Sequence, residues 1–157
     1  MKSEISADVA APPARIFELA ADLARWPELL PHYRKVTIQS QVAGRTLAQM
    51  VAVRRFGRIS VPVAWRAEQW PDTSDPADLQ LHFHHVRGVT RGMAVTWHIR
   101  RVGDDGDRSR VSIEHVFSRP LPLVGAELLP RLVDLLFVRP IAGRTLATFK
   151  RLAESSA

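Results

Sequence analysis

Three histidines, His82, His84 and His85, lie close enough together in the sequence to be considered as ligands of a metal ion. Successive side chains of a β-strand point to opposite faces, so His82 and His84 would share one face and His85 would point to the other. Zinc normally takes three or four protein ligands, and the sequence has no cysteine that could join the pair. We therefore expect no metal at this site.

Other polar residues could bind a ligand or move protons within an apolar environment. His85 and His115 fall on the apolar faces of their predicted strands, where each is either a hydrogen-bonded core residue or a general acid or base. Tyr33, the one tyrosine, places its hydroxyl either in water or against a ligand carbonyl. Arg139 lies on the apolar stripe of a predicted C-terminal helix, where an unpaired charge would be costly. Both interpretations of each residue stay open at this point.

Large apolar side chains accompany these polar groups on the same predicted faces. Phe83, Met93, Trp65 and Trp97 are core residues on the simplest interpretation, because that is the usual role of an apolar stripe. If the fold encloses a pocket, some of them contact a ligand, since pockets are mostly apolar with few polar groups. The sequence has no G-x-S-x-G and no G-x-G-x-x-G motif. We therefore expect neither covalent catalysis nor a nucleotide or any other cofactor.

The elements that must position these residues are mostly strands. Residues 3–9 alternate between apolar and polar, which predicts a half-buried strand. From Tyr33 onward the period is two again, and turn signals separate the segments. The predicted strands are 33–42, 45–56, 59–70, 79–87, 90–102 and 109–118. These six strands with short connections indicate an antiparallel meander with one solvent-exposed and one buried face, and the first strand brings the number to seven.

Helices are predicted at two places. Pro12 and Pro13 open a helix after the first strand, and a short second helix covers Trp26 to Pro31. The last segment, about 124–153, has helical periodicity, and Pro140 should kink it because proline lacks a donor and crowds the preceding turn. The predicted apolar stripe comprises Leu128, Leu132, Leu135, Leu136, Arg139, Gly143, Leu146 and Phe149. A bent helix over a concave sheet leaves room for a cavity.

Three stretches carry a resemblance to a known family. They are Trp26-Pro27-Glu28-Leu29-Leu30 with Tyr33, the strand Met93-Ala94-Val95-Thr96-Trp97 after Gly88, and the helix end from Leu146 to Glu154. In order and spacing, the chain resembles the polyketide cyclase/dehydrase branch of the START/Bet v 1-like superfamily over essentially its whole length. The resemblance implies an α+β helix-grip fold, in which a seven-stranded curved antiparallel sheet wraps a long C-terminal helix, with two short helices between strands 1 and 2.

The resemblance also implies where a ligand would bind. Cavity-lining positions in the aromatase/cyclases correspond to Trp26, Tyr33, Trp65, Met93 and Trp97. A strand arginine that is thought to orient the poly-ketone corresponds to Gln69, which can donate a hydrogen bond but cannot stabilise an enolate by charge. Replacements for that arginine would be Arg66, Arg87, Arg91 or, best placed, Arg139. The implied function is binding of an aromatic or polyketide-type ligand with cofactor-free aldol cyclisation and dehydration, in which Tyr33, Gln69 and Arg139 hold oxygens and His115 or a water moves protons. The alternative is a non-catalytic binding or transport protein for a lipid, quinone or other hydrophobic metabolite.

Composition sets the remaining expectations. The 157 residues suit one domain, 1–157, and the start of the chain lacks an apolar signal core, so a cytoplasmic protein is expected. The net charge of +6 comes mainly from scattered arginines, which argues against a nucleic-acid site. The cluster 54–58 is interpreted as a solvated hairpin tip, or as a contact with phosphate or a membrane surface. The apolar run 121–125 is a candidate gate or membrane-touching loop, and a monomer and a homodimer are both open.

Overall fold

One antiparallel sheet organises the computed structural model, which describes residues 1–117 and 128–155. The strands are β1 (Lys2–Val9), β2 (Tyr33–Val42), β3 (Arg45–Phe56), β4 (Ile59–Asp72), β5 (Asp78–Gly88), β6 (Met93–Val102) and β7 (Arg108–Phe117). Their order is β1-β7-β6-β5-β4-β3-β2, so each strand from β2 to β7 pairs with its neighbour in the chain and β1 pairs with β7. Register shifts between Tyr33 and Lys35, between Ile38 and Ser40 and between Arg66 and Ala67 mark bulges, which bend strands.

Two short helices connect β1 to β2, as the sequence predicts. Helix α1 (Pro13–Ala21) starts at a proline, whose missing N–H would have no partner in the first turn of a helix. A 3₁₀ turn (Leu23–Arg25) leads into helix α2 (Trp26–Leu29). The chain becomes extended at Leu30, directly before Pro31, because a residue before proline is disfavoured in the helical region. This bend brings the chain back into the sheet at Tyr33.

The C-terminal helix is interrupted by one wide turn. Helix α3 (Leu128–Val133) passes into a π turn (Asp134–Val138), and helix α4 (Arg139–Ser155) follows. The N–H of Arg139 donates to the carbonyl of Asp134, five residues earlier. Pro140 has no N–H for the carbonyl of Leu136, four residues before it, so a regular α-helix could not be completed here.

The π turn makes the predicted apolar stripe partly wrong. Leu132, Leu135 and Leu136 are exposed, and Leu135 is 63% exposed. An additional residue in one turn rotates the rest of the helix by about 100°, so the two halves present different phases of the sequence to the sheet. The residues that face inward are Asp134, Val138, Ile141, Thr145, Leu146, Phe149 and Ala153.

The core fills the space between the concave face of the sheet and the helices. Inward positions alternate along each strand, for example Leu81, Phe83 and His85 on β5. Strand β6 begins at Met93, three residues later than predicted, because Gly88 and Gly92 adopt positive φ angles of 102° and 89° and form a longer turn. The run 121–125 lies outside the described residues. Among those that are described, no helix is long and apolar enough to cross a membrane.

Candidate functional site

A cavity of about 80 Å³ lies between the sheet and the C-terminal helix. Its apolar wall is formed by Trp26, Met50, Val63, Trp65, Phe83, Met93, Val95, Trp97, Ile113, Phe137, Val138, Ile141 and Ala142. Its polar lining comprises Tyr33, His85, Thr90, His115 and Thr145. Most of the lining strand residues lie nearer the turns 57–58 and 88–92 than the opposite ends of their strands, so we call that side of the molecule the cavity end.

Trp26 is the centre of the aromatic wall. Its ring centroid lies 5.0 Å from that of Tyr33, 6.0 Å from Phe83, 5.8 Å from Phe149 and 6.4 Å from Trp97. The contacts with Tyr33 and Phe149 are edge-to-face, which is a favoured arrangement for aromatic pairs. Helix α2 therefore carries into the cavity a large rigid side chain that the surrounding rings hold in place.

His85 is held in its neutral form by its surroundings. Its Nδ1 lies 2.6 Å from the hydroxyl of Thr90, and its ring stacks on Trp65 with an angle of 14° between the planes. Burial, with smaller contributions from the nearby His115 and His84, lowers the pKa of His85 to about 3. A Cβ at Gly88 would lie 2.6 Å from the carbonyl oxygen of Ala64 and 3.0 Å from the Cα of Trp65, so this glycine lets the end of β5 lie close to the backbone of the strand that carries Trp65.

His115 faces a buried carboxylate. Asp134 Oδ1 accepts a hydrogen bond from the Ser3 hydroxyl at 2.7 Å, and Oδ2 accepts one from Arg139 Nε at 2.9 Å. Ser3 is the register partner of His115 on the neighbouring strand. The residue that binds Asp134 therefore lies directly beside the imidazole. Burial lowers the pKa of His115 to about 4; Asp134 opposes this shift and Arg139 adds to it. The imidazole is therefore neutral at pH 7.

Tyr33 belongs to a second polar group on the opposite wall. The Thr145 hydroxyl donates to the carbonyl of Ile141 at 2.9 Å and lies 2.9 Å from Nε2 of His32. The hydroxyl of Tyr33 forms a hydrogen bond with Thr145. Burial raises the pKa of the Tyr33 hydroxyl well above the ordinary value and outweighs the lowering effect of this hydrogen bond. Burial also lowers the pKa of His32 to about 4, so this group carries no charge at neutral pH.

Two buried polar atoms of the lining residues have no partner in the described part of the chain. They are the indole Nε1 of Trp26 and Nδ1 of His115. Trp26 is 3% exposed and His115 is 4% exposed. A buried polar atom without a hydrogen bond is costly, and native structures have few of them. A ligand with oxygen functions could satisfy both atoms.

The predicted site residues are divided between the cavity and other places. Trp26, Tyr33, Trp65, Phe83, Met93, Trp97 and His115 are brought together around the cavity. Gln69 is buried elsewhere, and its Nε2 donates to the carbonyl of Ala21 at 3.2 Å, at the end of α1, where a carbonyl has no helical partner. The guanidinium of Arg139 is half exposed and bonded to Asp134.

The remaining candidate arginines and histidines lie outside the cavity lining. Arg87 and Arg91 are exposed, and Arg66 is half-buried with an unpartnered Nε in the described structure. His82 stacks on Trp70 at 5.3 Å, and His84 is exposed. No group of three or more potential metal ligands occurs among residues 1–117 and 128–155.

A clasp links the tip of the β3–β4 hairpin to the π turn. Arg54 Nε donates to the carbonyl of Leu136 at 2.9 Å, the carbonyl that Pro140 leaves without a helical donor. Beside this bond, the rings of Phe56 and Phe137 meet edge-to-face with centroids 5.9 Å apart. Phe137 also lines the cavity. The interpretation of 54–58 as a solvated hairpin tip is therefore wrong for Arg54 and Phe56, which contact the π turn at the cavity end.

Sequence reasoning missed four polar residues of the site. Thr90 lies in the turn that was predicted to be strand, and Thr145 and Asp134 lie outside the predicted stripe because the π turn shifted the phase. His32 follows Pro31 in the motif that the sequence analysis used, so its position beside Tyr33 was the one available signal.

The fold and the cavity define a class: a START/Bet v 1-like helix-grip protein, with a curved antiparallel sheet around a long C-terminal helix. Residues 1–154 match the family described as polyketide cyclase/dehydrase and lipid transport. The chain belongs to that family. A comparison with curated proteins gave no match.

Solved structures share this fold at low sequence identity. A protein of Thermus thermophilus is 22% identical with a TM-score of 0.77, and the alignment covers 100% of this chain and 99% of that chain. The Zhui aromatase/cyclase from a Streptomyces species is 18% identical with a TM-score of 0.74, covering 98% and 93%. A START superfamily protein from Mycobacterium smegmatis is 14% identical with a TM-score of 0.68, covering 99% of both chains.

Proposed function

We propose that this protein binds an aromatic or polyketide-type molecule in its cavity and promotes cofactor-free aldol cyclisation and dehydration. The observation that carries the proposal is the pair of unpartnered polar atoms, Trp26 Nε1 and His115 Nδ1, in a mostly apolar cavity. An indole N–H can only donate, so a ligand that satisfies it must carry an acceptor, such as a carbonyl oxygen. A hydrophobic molecule with oxygen functions meets this requirement.

His115 is the residue that we assign to proton transfer. Its neutral imidazole could accept a proton from the carbon next to a ligand carbonyl and return it to the leaving hydroxyl during dehydration. Asp134 faces the imidazole and would stabilise the transient positive charge, while Ser3 and Arg139 fix the carboxylate. Holding a flexible poly-ketone against this group would remove part of the entropic barrier to closure.

Entry of such a ligand requires the cavity to enlarge. Pockets for drug-sized ligands commonly measure ~300–1,000 Å³, several times the volume seen here. The clasp of Arg54 and Phe56 on the π turn is the contact that would have to open, because it joins the hairpin to the helix at the cavity end. The carbonyl of Leu136 would then turn to water.

A titration with 1,8-dihydroxyanthraquinone, followed by quenching of tryptophan fluorescence, tests the binding proposal. Trp26→Phe keeps an aromatic ring and removes only the N–H donor, and Trp70→Phe is the matched control on the outer face of the sheet. Loss of one hydrogen bond should weaken binding about tenfold in Trp26→Phe, with no change in Trp70→Phe. Equal affinities in the two variants would contradict the role given to Trp26.

The second candidate function is binding or transport of a lipid, quinone or other hydrophobic metabolite without catalysis. One observation favours it: the Gln69 amide donates to Ala21 and the Arg139 guanidinium is paired with Asp134, so Gln69 offers that donor to no ligand and Arg139 supplies no unpaired charge to the cavity. Turnover of a poly-ketone analogue separates the candidates. The enzyme proposal expects turnover that His115→Gln abolishes, whereas binding without turnover supports the carrier.

A further inference from the structure

Charge is divided between the two ends of the sheet. At the cavity end, the β3–β4 turn carries Arg54, Arg55 and Arg58, and the β5–β6 turn carries Arg87 and Arg91, with no acidic residue in positions 54–59 or 87–92. The loops 73–77 and 103–107 lie at the opposite end, which we call the acidic end. The acidic residues in and beside these loops are Asp72, Asp75, Asp78, Asp104, Asp105 and Asp107, and they outnumber the arginines that flank the loop 103–107, Arg100, Arg101 and Arg108.

Large apolar side chains are exposed on or beside these two turns and on the π turn. Ile59 is 68% exposed beside the β3–β4 turn, Val89 is 57% exposed in the β5–β6 turn, and Leu135 is 63% exposed on the π turn. Leu132 and Leu136 extend this last group along the helix. Single exposed apolar residues are ordinary, but several at one end among cations indicate an interaction surface.

We propose that the cavity end docks on a bilayer surface that contains anionic lipid. The arginines would lie at the level of the headgroups, where each contributes attraction to negative lipids. Ile59, Val89 and Leu135 project from separate elements, so they can enter the interface together while the cations between them stay near phosphate. The acidic end would point away from the membrane, which fixes the orientation.

This surface surrounds the clasp. Arg54 and Phe56 lie on the hairpin that also carries Ile59, and Leu136 lies beside Leu135 on the π turn. In the docked protein the clasp would therefore face the membrane. A hydrophobic molecule could then pass between the lipid and the cavity without crossing water. Docking itself depends only on surface residues and does not require the proposed ligand or reaction.

Vesicle co-sedimentation tests the proposal with matched pairs of variants. The vesicles contain either phosphatidylcholine alone or equal parts of phosphatidylcholine and phosphatidylglycerol. Arg58→Gln/Arg91→Gln removes two charges at the cavity end, and Arg101→Gln/Arg108→Gln removes two at the acidic end, so the net charge is the same in both. Ile59→Ser is compared in the same way with Val42→Ser, since Val42 is 70% exposed at the acidic end.

We expect binding to the anionic vesicles only, and weaker binding at high salt. The Arg58/Arg91 variant should lose roughly 25-fold in partitioning, about fivefold for each cation near the surface. Ile59→Ser should lose roughly tenfold through its apolar contact, while both acidic-end variants bind as wild type. Equal losses in the paired arginine variants would overturn the proposal, because attraction would then follow net charge alone. So would binding to RNA that weakens in the Arg58/Arg91 variant but not in Ile59→Ser, with no binding to vesicles.

Discussion

The buried histidines predict a loss of stability on mild acidification. His85 and His115 have folded-state pKa values of about 3 and about 4, below the ordinary 6.5 that they regain on unfolding. Between these values the unfolded chain binds more protons than the folded one, so the free energy of unfolding falls as the pH drops from about 6.5 towards 4. His32 shifts in the same direction.

The magnitude at pH 5 follows from the unfolded state. A free histidine with a pKa of 6.5 is favoured in its protonated form about 30-fold at pH 5, whereas the folded protein keeps both imidazoles neutral. Each histidine therefore lowers the free energy of unfolding by about 2 kcal/mol between pH 7 and pH 5. For the two together the loss is about 4 kcal/mol, a large share of the 5–15 kcal/mol typical of a domain.

Urea unfolding followed by tryptophan fluorescence at pH 7 and pH 5 measures this loss. In His115→Gln the difference between the two pH values should shrink by about 2 kcal/mol, even if the variant is less stable at both. His84→Gln is the control, because this side chain is exposed on the outer face. A His115→Gln difference equal to that of wild type would refute the reasoning, since the imidazole would then not be buried in its neutral form.

Two further predictions concern backbone contacts at the cavity end. Gly88→Ala should lower the melting temperature by at least about 6 °C more than Gly92→Ala. Both residues have positive φ angles, but only at Gly88 does backbone lie within 3 Å of the added Cβ. Equal shifts of the melting temperature in calorimetry would disprove the close approach. Arg54→Met should speed both association and dissociation of 1,8-dihydroxyanthraquinone in stopped-flow fluorescence, because the carbonyl of Leu136 loses its donor, whereas Arg55→Met, whose side chain is exposed, should leave both rates unchanged. Unaltered rates in Arg54→Met would show that the clasp does not control entry.

Most of the sheet could be predicted because alternation is a local signal. The bounds of β2 and β3 agree with the predicted ranges, since both strands end at the turn residues 43–44 and apolar and polar residues alternate along much of each strand. The start of β6 could not be predicted, because residues 90–92 continue the pattern but Gly88 and Gly92 bend the backbone. Such a turn depends on φ angles that composition alone does not specify.

The helix shows why the polar part of the site was harder to predict. The sequence identifies Pro140 as an obstacle to a regular helix. It does not predict that the chain forms a π turn before Pro140, which brings Asp134 inward. The partner of Gln69 is the end of α1, and the partner of Arg139 is five residues earlier on its own helix. Both are set by three-dimensional packing, which a pattern of residue types cannot reveal.

Native mass spectrometry of the purified protein, with and without added 1,8-dihydroxyanthraquinone, tests the central claim that the cavity holds a hydrophobic ligand. Ala142→Trp is the matched variant, since Ala142 lines the cavity and a larger side chain would fill it. The account predicts a mass adduct on the native wild type that denaturation removes and that is absent from Ala142→Trp. An unliganded mass for the wild type under both conditions, or the same adduct on the filled variant, would contradict it.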